Sequence, residues 1–190
     1  MGVGDEAGLV ARLRAGDTEA FDAIYEEYRP RVFGFLLRLS RRRAVAEELL
    51  DETFLRLVRH APALRADTNL GAWLFTVARN LYWSYRRASA LEDDVDPLTL
   101  SLWPITAPDP SPFELAAGDE LESRLDKALS DLPPQQREVL LLVIREGMKP
   151  SEAADVCGIT AEALRQRLSR ARAALIRHMN LERPVRRYGT

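Results

Sequence analysis

The sequence predicts an all-α protein of two small helical domains joined by a proline-rich acidic linker. Three observations predict this class. Apolar residues recur at three-and-four spacing through most of the chain, the period of a helix buried on one face. Capping and stopping residues such as Asp17, Thr160, Gly147 and Gly158 stand at the ends of those runs. Between them, LEDDVDPLTLSLWPITAPDPSPFE is acidic and rich in proline, with no helical rhythm. The expected boundaries are a first domain over 5–90, a linker over 91–112 and a second domain over 113–182.

At 190 residues the chain can hold one domain or two small ones, and 46% apolar residues suffice for a core in each. The net charge is −2 and the pI is about 5.8, both unusual for a protein that holds DNA alone. Charge is segregated instead, with a basic last helix and an acidic middle, which implies weak DNA affinity without a partner. The basic residues are almost all arginine; Lys127 and Lys149 are the lysines. Cys157 is the single cysteine, so neither an internal disulfide nor a cysteine cluster for a metal can form. With no charged-then-apolar leader and no long uncharged apolar run, a cytoplasmic protein is expected.

The first domain begins with a short helix over 5–15, with Leu9, Val10 and Leu13 inward. Asp17 is placed to cap a long helix reaching Ser40, whose inward positions are Phe21, Ile24, Tyr25, Tyr28, Val32, Phe35, Leu36 and Leu39. Pro30 lies inside it and predicts a kink. Arg38, Arg41, Arg42 and Arg43 cluster at its end, where cations suit the helix dipole or meet phosphates. A third helix spans 44–60, with Leu50, Phe54, Leu57 and Val58 inward. Glu48, Asp51 and Glu52 lie outside; on spacing alone a solvated face is favoured over a patch for a basic protein. After Pro62 and a loop to Thr68, a fourth helix spans 69–88. Leu70, Trp73, Leu74, Val77, Leu81 and Tyr85 are its core stripe. Its other side carries Phe75, Arg79, Asn80, Trp83, Arg86 and Arg87. Aromatic faces stack on unpaired bases and guanidinium groups hold the backbone, so that side suits a single strand.

In the second domain a helix over 113–129 leads into LPPQQREVLLLVIREGMKPSEAADVCGITAEALRQRLSRARAAL. Pro133 and Pro134 open a helix with Val139, Leu140, Leu141 and Ile144 buried, closed by Gly147. Pro150 opens a short helix that buries Ala153, Ala154 and Val156, and Gly158 makes the turn. Thr160 caps the last helix, which turns Leu164, Leu168, Ala171 and Leu175 inward. Glu162, Arg165, Gln166, Ser169 and Arg170 then point outward. Guanidinium forks and amides read purine edges in a major groove, and Arg167, Arg172 and Arg177 add charge for phosphates. About 27 Å of helix, at about 1.5 Å per residue, is long enough to lie in the groove. An amphipathic helix with a solvated arginine face is the plainer alternative. The order of short helix, glycine turn and capped helix favours a helix-turn-helix.

Together with AEELLDETFLRLVRH and GAWLFTVARNLYWSYRR, that stretch resembles the extracytoplasmic-function (ECF) sigma factors of bacterial RNA polymerase. The resemblance covers about Asp17 to Ser89 and Leu121 to Met179. It implies a region 2 domain that binds the polymerase clamp and the −10 promoter element. It also implies a region 4 domain that binds the −35 element and the polymerase flap. Glu48, Asp51 and Glu52 match the clamp-binding positions, which turns the solvated-face preference around; Asp51 stands where glutamine is common. Leu64, Arg65, Asp67, Asn69 and Leu70 match the loop that captures a flipped −10 base. Arg79, Asn80, Trp83, Arg86 and Arg87 line the adjoining helix, with Ser84 in place of a usual aspartate. Thr160, Glu162, Arg165, Gln166, Ser169, Arg170 and Arg172 match the −35 side. An anti-sigma factor is an implied partner. No cofactor, metal site, membrane insertion or enzyme activity is implied. A helix-turn-helix regulator acting without the clamp is the alternative class.

Overall fold

The computed structural model describes residues 3–92 and 120–181. The expected linker therefore lies outside the described residues, apart from its first two, as does the start of the helix expected from Phe113. Among the described residues eight α-helices follow in order: α1 (Val3–Arg14), α2 (Thr18–Ser40), α3 (Arg43–His60), α4 (Leu70–Glu92), α5 (Glu120–Ser130), α6 (Pro134–Leu140), α7 (Pro150–Cys157) and α8 (Ala161–Leu181). A 3-10 turn over Ala61–Ala63 joins α3 to the loop, and a π turn over Leu141–Arg145 extends α6. Helices α1–α4 form one group and α5–α8 another.

The long second helix starts where Asp17 accepts from the Glu19 and Ala20 N–H groups at 2.9 and 3.3 Å. Arg12 donates to the same carboxylate at 2.6 Å, which ties the end of α1 to the start of α2. Helix α2 continues through Pro30 without interruption. It ends on Arg41, whose φ of 57° is the left-handed conformation that closes a helix, with its N–H bonded to the Leu37 carbonyl. The N-terminus of α4 is capped from two directions. Asn69 accepts from the Ala72 N–H at 2.8 Å, and Glu6 of α1 accepts from the Leu70 N–H at 2.8 Å.

Helices α2, α3 and α4 bury Ile24, Val32, Leu36, Leu49, Phe54, Leu57, Leu70 and Leu74 between them. Three expectations for the core are corrected. Val58 is 52% exposed, and Leu49 takes the inward place on α3. Ile144 is 52% exposed, because the π turn rotates it away, while Leu142 is buried. On α4 the buried stripe is Leu74, Phe75, Ala78, Leu81 and Tyr82; Trp73, Val77 and Tyr85 lie at its margin. The stripe is rotated because α4 is covered on two sides, by α2 and α3 and also by α7.

That second cover joins the two groups, whose apolar cores are continuous. Arg137 on α6 is 1% exposed. Its Nη1 donates to the Arg38 and Leu39 carbonyls at 2.9 and 3.2 Å. Nε and Nη2 donate to the Leu129, Ser130 and Leu132 carbonyls at 2.9, 2.6 and 2.9 Å. Four of these carbonyls belong to the last residues of α2 and α5 and the fifth, that of Leu132, lies just beyond α5, so one cation serves two helix termini. Burial lowers the Arg137 pKa to about 10, which leaves it charged at neutral pH. Around it, the expected arginine cluster at the end of α2 divides its partners. Arg38 pairs with Asp126 at 2.9 Å, and Arg41 Nη1 donates to the Ser130 carbonyl at 3.3 Å. Arg42 donates to the Tyr85 hydroxyl at 3.0 Å, and Arg43 pairs with Glu47 at 2.8 Å.

Two outcomes follow. Arg137→Met leaves several buried carbonyls without a donor and is expected to lower stability by about 3–5 kcal/mol in urea unfolding. Asp17→Ala removes a cap and lowers the thermal midpoint by a few degrees. The Arg12 guanidinium, followed by the Ala20 and Glu19 N–H groups, holds the Asp17 carboxyl below its ordinary range. Its contribution is thus present above the unfolded value and lost as pH falls through the folded one. Thermal scans from neutral to acid pH are expected to show the gap between parent and variant closing.

Candidate nucleic-acid and polymerase surfaces

The exposed side of α8 is assembled from the turn outward. Gly158 adopts φ 64° at the end of α7, and Thr160 accepts from the Ala163 N–H at 3.1 Å. Helix α7 starts at Lys149 with half of a capping box. Glu152 accepts from the Lys149 N–H at 2.9 Å, while the lysine side chain has no acceptor to return the bond. Burial of Leu164, Leu168, Ala171 and Ala174 fixes the rotation of α8. Glu162, Arg165, Gln166, Ser169, Arg170 and Arg172 are all exposed. Glu162 accepts from Arg165 Nη2 at 2.6 Å and from Gln166 Nε2 at 3.2 Å. The pairing with Arg165, then the Gln166 amide, holds the Glu162 carboxyl below its ordinary range. The two side chains best suited to base edges are thus steered by one carboxylate.

On α4 the expected strand-facing side is shared with the second helical group. Arg79, read from the sequence as part of the strand-suited side, is part-buried and paired with Glu138 of α6. Trp83 Nε1 donates to the other oxygen of Glu138 at 3.3 Å. The carboxylate is fully buried, and its first oxygen also accepts from Cys157 Sγ at 3.4 Å. Burial, with Glu138 adding to it, pushes the Cys157 thiol up to about 12, which keeps it protonated. Asn80 is exposed and accepts from Arg79 Nη1 at 3.1 Å. The Arg86 guanidinium lies 5.5 Å from the Trp83 ring centroid, and Arg87 donates to the Ser84 hydroxyl at 2.9 Å. With Gln135, Ile159 and Arg167, this face borders a cleft of about 290 Å³ between the two groups.

The loop before α4 divides by burial. Leu64 and Leu70 are core residues, 6% and 0% exposed. Arg65 and Asp67 form an exposed ion pair at 3.0 Å, and Asn69 is engaged as a cap. Beside the loop, Arg56, His60, Ala63, Leu64, Trp73 and Val77 line a concavity of about 310 Å³. The His60 and Trp73 rings meet edge to face, with centroids 6.3 Å apart. Arg56, His60, Trp73 and Val77 are absent from the sequence-based candidates. Trp73 and Val77 read as core there; the rotated stripe of α4 puts them on the rim.

On α3, Glu48 and Asp51 are exposed, and Glu52 is held by Arg56 at 2.8 Å. Helical spacing sets Leu55 and Val58 on the same outer stripe, 50% and 52% exposed. Two apolar side chains beside three carboxylates make a mixed surface that acidity alone did not reveal. Among the described residues no group of three or more His, Cys, Asp or Glu side chains gathers as metal ligands. No described helix is long and apolar enough to cross a membrane.

Comparison with known proteins identifies both helical groups. The sigma-70 region 2 family matches residues 24–91 and the sigma-70 region 4 family matches residues 122–175. EcfG, an ECF RNA polymerase sigma factor of Rhodopseudomonas palustris, is 33% identical over 147 residues, 77% of this chain and 77% of EcfG. RfaY, a probable RNA polymerase sigma factor of Xanthomonas campestris pv. campestris, is 32% identical over 164 residues. That match takes in 85% of this chain and 40% of RfaY, so the chain spans less than half the length of that relative. The sigma factor RpoE of Bartonella quintana, solved in complex with the anti-sigma factor NepR, superposes with a TM-score of 0.70 at 28% identity. The superposition covers 86% of this chain and 98% of the RpoE chain. Two such regions in this order define the sigma-70 class. Within that class, the chain belongs to the ECF sigma factors of RNA polymerase.

Proposed function

We propose that this chain directs core RNA polymerase to promoters by dividing recognition between its two regions. The exposed row of Arg165, Gln166, Ser169 and Arg170 on α8 carries the reading, with Glu162 steering its first two members. In the major groove of the −35 element these side chains face base edges, while Arg172 and Arg177 meet phosphates. The acidic and apolar stripe of α3 docks on the polymerase clamp, and region 4 on the flap. Once the duplex opens, Asn80, Trp83, Arg86 and Arg87 hold the displaced −10 strand by stacking and charge. The concavity between His60, Leu64 and Trp73 takes an unstacked base. Its capture offsets an unstacking cost of a few kcal/mol.

The role is non-catalytic and belongs in the cytoplasm, where polymerase and promoters are. An anti-sigma factor is the natural regulator, as RpoE is held by NepR in the structure that superposes on this chain. A regulator reading DNA without polymerase is disfavoured, since such proteins pair two copies over matched half-sites. This chain instead carries one reading helix and a dissimilar first region. Run-off transcription with core enzyme tests the proposal. Initiation at discrete positions supports it, and none on a genomic promoter library refutes it.

Arg165→Ala is expected to weaken −35 recognition by about 1–3 kcal/mol if its fork engages a guanine, read as loss of discrimination between promoter variants. Reversing charge at Glu48 and Glu52 together is expected to abolish co-purification with core enzyme while helix content stays unchanged. Normal co-purification of that variant rules out the α3 contact.

A further inference from the structure

Helix α1 lies outside the matched region 2 family, which begins at residue 24, and carries none of the sequence-based candidates. It is nonetheless fixed along its length. Val10 and Leu13 are buried, and Arg12 pairs with Asp17 at 2.6 Å. Near its start Glu6 reaches across to α4, where its Oε1 accepts from the Leu70 N–H at 2.8 Å. The Tyr28 hydroxyl of α2 donates to the same oxygen at 3.4 Å. Burial, with the Glu6 charge adding to it, pushes the Tyr28 hydroxyl up to about 12, so it stays a donor at neutral pH. Helix α1 also packs on the 3-10 turn Ala61–Ala63. One helix therefore grips both ends of the segment 61–70. Between those ends the backbone bonds are local: the Leu64 N–H to the Ala61 carbonyl at 3.2 Å, and the Thr68 N–H to the Arg65 carbonyl at 3.1 Å.

We propose that Glu6 is a positioning residue for −10 recognition: from α1 it holds the first turn of α4, and with it the loop 65–69, where an opened strand is captured. This rests on the reading of that loop and its concavity as the −10 site. The physical reason is where the ordering cost falls. A loop with only local bonds samples many conformations, and fixing it costs conformational entropy. An anchor that fixes it during folding leaves less of that cost to the step in which a base is captured. A carboxylate suits the task, since the start of α4 offers unpaired N–H groups and the positive end of the helix dipole. Asn69 takes the Ala72 N–H from within the loop, whereas Glu6 ties the same turn to another helix. Leu64, buried in the core, pins the start of the loop, and Glu6 pins its end. The exposed pair of Arg65 and Asp67 lies between these two anchors.

The test uses holoenzyme formed from the full chain and core polymerase, on a promoter taken from the run-off library. Fluorescence anisotropy compares two labelled probes: the −35 duplex alone, and a fork that adds the unpaired −10 strand. Glu6→Ala is expected to weaken fork binding about tenfold, the order of one charge-assisted hydrogen bond, and to leave the −35 duplex unchanged. Glu6→Gln keeps an oxygen for the Leu70 N–H and is expected to restore most of the fork binding. Abasic substitution along the −10 strand finds the captured base: its removal costs the parent binding and costs Glu6→Ala less. Where Glu6→Ala loses helix content by circular dichroism, Tyr28→Phe decides, with an expected loss of about two- to threefold on the fork alone. Fork binding at the parent level, or an equal loss on both probes, overturns the positioning role while leaving the −10 site in place. An abasic series that costs the parent nothing at any −10 position overturns the reading of the loop as that site, and the role of Glu6 with it.

Discussion

The guanidinium of Arg137 is the contact on which the arrangement of the whole chain depends. A buried cation without a carboxylate partner is ordinarily costly. Here its donors are met by carbonyls at the ends of α2 and α5, where peptide dipoles converge with their negative poles. Without that cation the buried Arg38 and Leu39 carbonyls at the end of α2 and the Leu132 carbonyl after α5 would lose their donor. Region 2 and region 4 therefore complete each other's backbone hydrogen bonding as well as sharing an apolar face. Glu138, one residue on, extends the same helix turn toward α4. Neighbouring residues of opposite charge thus reach into opposite sides of the first region.

This explains why α4 serves two uses. Its inner stripe holds region 2 together, and its outer side carries arginines and an indole whose chemistry suits nucleic acid. Such a side cannot be left bare next to a protein surface without a counter-charge, and α6 provides one. Arg79 meets a buried carboxylate, whereas Asn80 and Arg87 stay exposed at the mouth of the cleft. The helix is both structural beam and candidate site, and region 4 covers part of that site through Glu138.

Much of the fold was legible in the sequence because helix periodicity, caps and stops are local signals. Asp17, Thr160, Gly147 and Gly158 each do what their position predicts, since a cap needs only the next three residues. The rotation of α4 was misread because its burial is decided by a helix more than fifty residues away in sequence. The same reason hid the partners of Arg38, Arg79 and Arg137, which belong to another region. Ile144 was misplaced because a π turn shifts the helical phase without a residue that announces it. For the site, the outward row of α8 could be read directly, since its inward leucines fix the phase. Leu55, Val58, Arg56, His60 and Trp73 were missed because charge was followed where shape mattered.

Arg41 carries a last consequence. It sits in a backbone conformation that glycine adopts at no cost and arginine does not. The chain keeps an arginine there, and its side chain spans to the Ser130 carbonyl of the neighbouring region. Comfort of one helix end and tightness of the union are thereby set against each other at a single codon. A drift to glycine would ease the first and slacken the second, and would do so without altering any side chain of α4 or α8.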